Sequence, residues 1–196
     1  MTTATQQQTR RNIQPKSPAT VEDLYQTPGK AEIVNGEMVL MPPTGDEPGF
    51  AGDEVFVSLH QHARQTGVGR AVSDNKGFLT NLPGRKSFSP DAAFYTGPSG
   101  GMRFFPQPPT FAVEVRSEND YGPAAEEAMA RKRADYFAAG TVVVWDVDLL
   151  NPEAVVRVYR ASDPDHPTVY RRGQIAEAEP AVPGWTLAVD DLFPTA

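Results

Sequence analysis

Cysteine is absent from this chain of 196 residues. Its absence excludes disulfide bonds, zinc sites built from thiolates and cysteine nucleophiles together. Long apolar runs are absent too, since none approaches the ~20 residues of a membrane-spanning helix. The N-terminus has no hydrophobic segment of the kind that a secretory signal needs. We therefore expect a cytoplasmic protein with no membrane partner.

Histidine and positive charge are scarce. The chain has three histidines, and 18 Lys and Arg residues against 25 Asp and Glu residues give a formal net charge of −7. His60 and His62 lie two residues apart in a predicted helix and point to different faces, which does not favour a metal site. The acidic balance excludes a protein that holds nucleic acid by its overall charge. A nucleic-acid function would need a local basic surface or a metal ion.

The sequence predicts one folded domain preceded by an arm. Residues 1–18 are polar and lack apolar periodicity, which is typical of a disordered arm. Residues 19–196 have the length of a single domain. The 19 prolines and 16 glycines predict many short elements joined by frequent turns.

The order of the predicted elements indicates an α/β fold, or one at the border with α+β. A capped helix at "TVEDLYQTPG" precedes a hairpin at "AEIVNGEMVLMPP", where the Asn35-Gly36 turn sets Glu32 opposite Val39. A helix, strands at "FSPDAAFY" and "FAVEVRS" and a second long helix follow. "TVVVWDVD" predicts a strand buried on both faces, with Asp146 and Asp148 as turn and capping residues. "AVVRVYR", "TVYRRG" and "QIAEAEP" predict a terminal antiparallel meander, so the whole is a mixed central sheet flanked by helices.

Glu114 is the residue that local structure does not explain. It lies between Val113 and Val115 in the apolar run "FAVEV", and an unpaired carboxylate among buried valines is costly. Strand alternation puts Glu114 on the same face as Arg116. If "FSPDAAFY" is the neighbouring strand, Asp91 converges with Glu114 at one edge of the sheet.

The second long helix carries a lysine on the stripe that should pack on the sheet. Met129, Lys132, Tyr136 and Ala139 recur at helical spacing on one face. A buried lysine needs a partner, and a carboxylate on the adjoining strand supplies one. Two acids and a lysine are also the groups of metal-assisted phosphodiester hydrolysis, in which carboxylates bind Mg²⁺ and the lysine orients water or stabilises charge on phosphorus. A buried ion pair without chemistry explains the same spacing, so both interpretations stay open.

Three segments together resemble a known family. "SPDAAFY", "FAVEVRSEND" and "ARKRADYFAAGTVVVWDVD" are similar to the Uma-two group, a restriction-endonuclease family of the PD-(D/E)XK nuclease superfamily. "AEIVNGEMVLMPP" looks like the N-terminal hairpin of that family. The likeness runs from about residue 20 to residue 193. It implies a restriction-endonuclease-like core with an N-terminal hairpin.

Carried over by position, the resemblance implies a catalytic site. Asp91 matches the Asp of the Pro-Asp motif, and Glu114 matches the acidic residue of (D/E)XK. Arg116 stands where superfamily members commonly keep the lysine, and Lys132 matches the helix position to which this family often displaces it. Glu32 matches an acidic position of the family hairpin. The resemblance thus implies Asp91, Glu114 and Lys132 as catalytic residues, with Glu32 and Arg116 as accessory ones.

The resemblance also implies a cofactor and a substrate. Mg²⁺, for which Mn²⁺ can substitute, would be held by Asp91, Glu114 and the backbone carbonyl of Val115. The implied activity is that of an endonuclease that hydrolyses DNA phosphodiester bonds, acting as a homodimer because cutting both strands usually needs two sites. Within residues 19–196, clusters of adjacent basic residues are limited to 85–86, 131–133 and 171–172.

One departure from the family pattern keeps a second function open. Members often carry a histidine just before the second helix, where this chain reads "GDEPGFAG". This loss and the acidic charge favour, as the alternative, a catalytically inactive homodimer that keeps the nuclease fold as a binding or regulatory module. A glycosidase with paired carboxylates is the weaker third hypothesis, because it leaves the lysine on the inward helix stripe unexplained.

Overall fold

A six-stranded mixed sheet is the centre of the fold, in a computed structural model that describes residues 17–194. Its strands are β3 Arg70–Ser73, β6 Ala92–Tyr95, β7 Phe111–Val115, β8 Val143–Val147, β9 Val156–Arg160 and β10 Asp163–Tyr170. They lie in the order β10-β9-β8-β7-β6-β3. β7 and β8 run parallel and the other neighbours antiparallel. The expected mixed sheet is confirmed, while the arm expected at residues 1–18 lies almost wholly outside the described residues.

Helices and three smaller sheets complete the described part of the chain. The helices are α1 Val21–Gln26, α2 Asp46–Thr66 and α3 Pro123–Ala139, with a 3-10 turn at Val189–Leu192. The strand pairs are β1 Ala31–Val34 with β2 Glu37–Leu40, β4 Phe78–Leu79 with β5 Ser87–Phe88, and β11 Ile175–Glu177 with β12 Thr186–Ala188. Within residues 17–194, no helix is both long and apolar enough to cross a membrane.

The local signals of the N-terminal segment produce the expected elements. The Thr20 side chain accepts a hydrogen bond from the backbone of Asp23, whose carboxylate accepts one from the backbone of Thr20, so α1 begins with a capping box. Asn35 and Gly36 have φ angles of 52° and 77°, the left-handed conformations that the turn requires. The hairpin register pairs Glu32 with Val39 as predicted.

The structure corrects two of the predicted strands. "FSPDAAFY" is not continuous: β5 ends at Phe88 and β6 begins at Ala92, because the Ser89 N–H donates to Glu32 and Pro90 has no N–H to give. Asp91 therefore precedes β6. The terminal meander is confirmed for its first two strands, because β9 and β10 pair antiparallel, but it is wrong for the third, because β11 pairs with β12 rather than with β10. This pair buries Ala176 and Leu187 in the core beneath the main sheet instead of extending its edge.

Each face of the main sheet is covered by one long helix. Alternation along β7 sends Phe111, Val113 and Val115 into the core on the α2 side. Ala112 faces the opposite core, which contains Tyr136 of α3. Glu114 lies on that same α3 side, as the sequence predicted, and the Tyr136 hydroxyl donates to it.

The core on the α2 side makes a testable prediction. Phe111 is fully buried, and its ring centroid lies 5.3 Å from that of Trp145 and 5.6 Å from that of Trp185. We expect Phe111→Ala to lower the free energy of unfolding by about 3–5 kcal/mol, because it removes apolar packing and leaves a cavity. Urea denaturation, monitored by tryptophan fluorescence, measures this change in the free energy of unfolding. The control Val57→Ala, at an exposed position of α2, should change it by less than about 0.5 kcal/mol; equal effects would contradict this packing.

Candidate active site

Asp91 and Glu114 come together where β6 begins and β7 ends. The register pairs Ala92 of β6 with Val113 of β7, so the residues that flank this pair, Asp91 and Glu114, are neighbours. The Val115 N–H donates to Asp91 Oδ2 over 2.8 Å. The backbone of β7 thus fixes the Asp91 side chain at the edge where the two carboxylates converge.

Lys132 of α3 reaches the carboxylates from the helix side. Its Nζ lies 2.8 Å from Glu114 Oε2 and 3.0 Å from Glu32 Oε1. The Tyr136 hydroxyl, one helical turn later, donates to Glu114 Oε1 over 2.6 Å. Both Glu114 oxygens therefore accept hydrogen bonds from the stripe of α3 that faces the sheet.

Lys30 is a site residue that the sequence analysis missed. Its Nζ lies 2.6 Å from Asp91 Oδ1 and 2.6 Å from Asp74 Oδ1. Lys30 directly precedes β1 and is two residues from Glu32, and residues two apart share a strand face. That spacing was the available signal. Asp74 lies in the loop after β3, and no pattern in the sequence points to it.

Glu32 joins the site through ion pairs on both of its sides. Apart from Lys132, its carboxylate accepts hydrogen bonds from Arg85 Nη1 over 2.5 Å and from the Ser89 N–H over 2.8 Å. Arg85 Nε also donates to Asp135 of α3 over 2.8 Å. Arg85 is buried in this arrangement, so it does not form the basic surface that its place beside Lys86 suggested.

The ion pairs form two groups that meet where Asp91 and Glu114 lie side by side, and together they have an excess of negative charge. They contain five carboxylates and three cations, which leaves two negative charges uncompensated. We call this set the acidic chain; in order it contains Asp74, Lys30, Asp91, Glu114, Lys132, Glu32, Arg85 and Asp135. A divalent cation would balance that excess.

Burial and crowding set the protonation of the site. Burial raises the pKa of Glu114, and the nearby charges of Asp91 and Glu32 raise it further, while Lys132 partly offsets them. Burial lowers the pKa of Lys132, but the charges of Glu114 and Glu32 outweigh burial and raise this pKa, so Lys132 stays charged. Burial together with Glu114 raises the pKa of Tyr136 well above its usual value, so its hydroxyl stays a donor.

The side chains are compatible with Mg²⁺. No group of three or more His, Asp and Glu side chains among residues 17–194 is arranged to hold a metal ion. Mg²⁺ is nevertheless commonly held by one or two carboxylates completed by water and substrate phosphate, and Asp91 and Glu114 are such a pair. Lys30 contacts Asp91 Oδ1 and would have to yield this oxygen to a metal.

A small cleft gives solvent a path to Asp91. The cavity has a volume of about 140 Å³ and lies between the first turns of α2 and the loop after β3. Thr44, Gly49, Gly52 and Asp74 line it together with Asp91. The acidic chain is therefore accessible at its Asp74–Asp91 end, whereas Glu32, in its interior, is buried.

Arg116 does not reach this site. Its guanidinium donates to both oxygens of Asp146 over 2.8 Å and also pairs with Glu126. The parallel register of β7 and β8 sets Glu114 beside Asp146. Asp146 is thus a buried strand residue, and its interpretation as a turn residue was wrong. Asp148 does follow β8, where it accepts a hydrogen bond from the Leu150 N–H.

The fold and the sequence of this chain each match proteins that are described as putative nucleases. Its structure is similar to the crystal structure of a putative nuclease belonging to DUF820 from Anabaena variabilis, with a TM-score of 0.69 and 17% identity over 90% of this chain and 98% of that chain. The nuclease-like fold is therefore confirmed. The family model Uma2, described as "Putative restriction endonuclease", matches residues 18–190. The chain belongs to this family, as its motifs predicted, and no curated protein matches it.

Variants of Arg116 test whether its buried ion pair with Asp146 stabilises the fold. Arg116→Ala leaves Asp146 buried without its guanidinium partner, so we expect a loss of about 3–5 kcal/mol in the free energy of unfolding. Adding Asp146→Ala to this variant should restore part of the lost free energy of unfolding. Chemical denaturation of the two single variants and the double variant measures the coupling. Arg131→Ala, which breaks an exposed pair with Glu127, should cost less than about 1 kcal/mol; a similar cost for Arg116→Ala would contradict the buried pair.

Proposed function

We propose that the protein is a Mg²⁺-dependent endonuclease that hydrolyses DNA phosphodiester bonds. The observation that carries the proposal is the meeting of Asp91 and Glu114 with Lys132, whose Nζ lies 2.8 Å from Glu114. The membership in a family described as restriction endonucleases supports it. A buried ion pair alone would not need a second carboxylate or the uncompensated charge of the acidic chain.

Each residue has a distinct role in this proposal. Asp91, Glu114 and the Val115 carbonyl would hold the metal. When bound, Mg²⁺ polarises the phosphate and lowers the pKa of the attacking water. Lys132, which stays charged, orients that water and stabilises the charge that develops on the phosphoryl oxygens. Tyr136 positions Glu114 by donating to the oxygen that Lys132 does not hold.

Glu32 and Arg116 differ in what they contribute. Glu32 lies 3.0 Å from Lys132 Nζ and holds the ammonium group in place, so we propose it as a positioning residue. Arg116 contacts Asp146 and Glu126 instead, and we assign it no role in the reaction. We further propose a homodimer, in which two such sites cut the two strands of a duplex, and we expect it to act in the cytoplasm.

The alternative, a nuclease-fold binding module without catalysis, is favoured by one observation. Lys30 Nζ lies 2.6 Å from Asp91 Oδ1, so this chain provides its own cation at a candidate metal ligand. In such a module, Lys30 would be a permanent counter-charge. Metal binding distinguishes the two functions, because an endonuclease must exchange Lys30 for the metal.

The carboxylates are tested by conservative changes. Asp91→Asn and Glu114→Gln should each lower cleavage of plasmid DNA in Mg²⁺ by at least about 100-fold, because the transition state loses its electrostatic stabilisation. Nicking and linearisation on gels measure it, and calorimetry should show weakened Mn²⁺ binding. Glu127→Gln, at a position of α3 with 73% of its side chain exposed, should cleave normally. Cleavage that survives both changes would rule out this site.

Lys30 is tested through metal affinity rather than activity. Lys30→Met keeps the length of the side chain and removes the charge that competes at Asp91. We expect Mn²⁺ to bind about tenfold more tightly or better, because a charged hydrogen bond of about 1.5–3 kcal/mol no longer has to be broken. Calorimetry measures the affinity. Lys86→Met, which removes a lysine bonded to the Leu82 carbonyl, is the control. No Mn²⁺ binding by either the wild type or Lys30→Met would favour the binding module.

A further inference from the structure

A groove with a volume of about 370 Å³ lies along β3, at one edge of the main sheet. Arg70, Lys76 and Arg103 provide three cations to its lining, and Ser73 and Ser99 provide hydroxyl groups. No carboxylate is among its lining residues in the described part of the chain. This surface is positively charged, although the chain as a whole has a formal charge of −7.

Two of the three cations are held in place by contacts that do not neutralise their charge. The guanidinium of Arg70 stacks 5.3 Å from the ring centroids of both Tyr95 and Phe105, an attraction that leaves its hydrogen-bond donors available. Lys76 Nζ donates to Ser73 Oγ over 3.2 Å and to the Asp74 carbonyl over 2.9 Å, both neutral acceptors. Neither cation forms a salt bridge within residues 17–194.

Arg103 is the third cation, and its pairing is easily exchanged. It stacks 4.4 Å from the Tyr25 ring centroid and lies 3.0 Å from Glu22. Both charged side chains are mostly exposed, at 64% and 71%, so their ion pair contributes little stability. A phosphate could replace Glu22 at small cost, because an arginine–phosphate contact is bidentate.

The groove adjoins the cleft of the acidic chain. Ser73 lines the groove, and the next residue, Asp74, lines the cleft that reaches Asp91. The groove and the cleft therefore border the same segment of the chain, at the end of β3. The groove is basic and the cleft is acidic. A site that first attracts phosphates and then binds a divalent cation between carboxylates needs both signs of charge.

We propose that this groove binds the phosphodiester backbone of DNA and leads one strand to Asp91 and Glu114. The proposal rests on the proposed function and names where its substrate binds. Arg70 and Arg103 would contact phosphates through their guanidinium groups, and Lys76 as a point charge. Contacts of this kind fix the register of the duplex and read no sequence. Sequence recognition would then belong to another surface.

The test measures DNA binding without cleavage. A fluorescein-labelled DNA duplex is titrated with the full chain in EDTA and followed by anisotropy at several salt concentrations. Lys76→Glu with Arg103→Glu should weaken binding at least tenfold and flatten the dependence of log Kd on log salt by about 2, because two phosphates are no longer neutralised by the protein. Neither change touches a buried side chain, and thermal melting verifies the fold.

Arg171→Glu is the matched control. Arg171 follows β10, at the opposite edge of the sheet, with 58% of its side chain exposed and an exposed partner in Glu153, as Arg103 has in Glu22. Arg171→Glu changes the net charge by the same amount as Arg103→Glu alone. The Kd of the Arg171→Glu variant for the DNA duplex should stay within about threefold of the wild-type value. Equal weakening by Arg171→Glu, unchanged binding by the groove variant, or preferential binding of an RNA duplex would each overturn the proposal.

The outcomes separate the groove from the proposed function. If the wild type binds DNA through the groove but does not cleave it in Mg²⁺, the groove stands and the endonuclease activity fails. If the wild type cleaves DNA and the groove variant still binds normally, the activity stands and the groove fails. Each of these two outcomes therefore overturns one proposal and leaves the other standing.

Discussion

The partial burial of Glu114, whose side chain is 19% exposed, is the constraint on which the rest of the structure depends. A carboxylate at the end of an apolar strand loses most of its hydration and must recover that free energy from protein groups. Lys132 and Tyr136 provide the hydrogen bonds from α3, which fixes the rotation of that helix on the sheet. Lys132 then requires Glu32, and Glu32 requires Arg85, so the hairpin and the loop before β5 are tied to the same point.

The arrangement is costly as a purely structural device. Burial and the like charges of Asp91 and Glu32 raise the pKa of Glu114, whereas an apolar residue at the end of β7 would pack there without any counter-charge. Buried ion networks are often no more stabilising than apolar replacements of similar volume. The position of this network beside an open cleft fits the proposed chemistry better than a role in stability alone.

The sequence predicted those parts of the site that depend on a regular period. Alternation along β7 placed Glu114 on the α3 side, and helical spacing placed Lys132 on the stripe that faces it. Lys30 and Asp74 were missed because each approaches Asp91 from a segment distant in the sequence. Asp146 was misassigned for a related reason: its partner Arg116 directly follows the parallel strand β7, and a strand's neighbours are not visible in its own residues.

The hairpin gives the site a stability of its own. Lys30 and Glu32 both belong to the β1 segment, whose Ala31 and Ile33 form a small cluster with Leu24 of α1, apart from the two cores of the main sheet. Detaching that cluster would withdraw a cation from Asp91 and a carboxylate from Lys132 in a single event. Regions with few buried apolar side chains open at a lower free energy than the global unfolding. Exposure of the acid pair is then governed by the docking of one hairpin, and hydrogen exchange in β1 would report on it separately from the sheet.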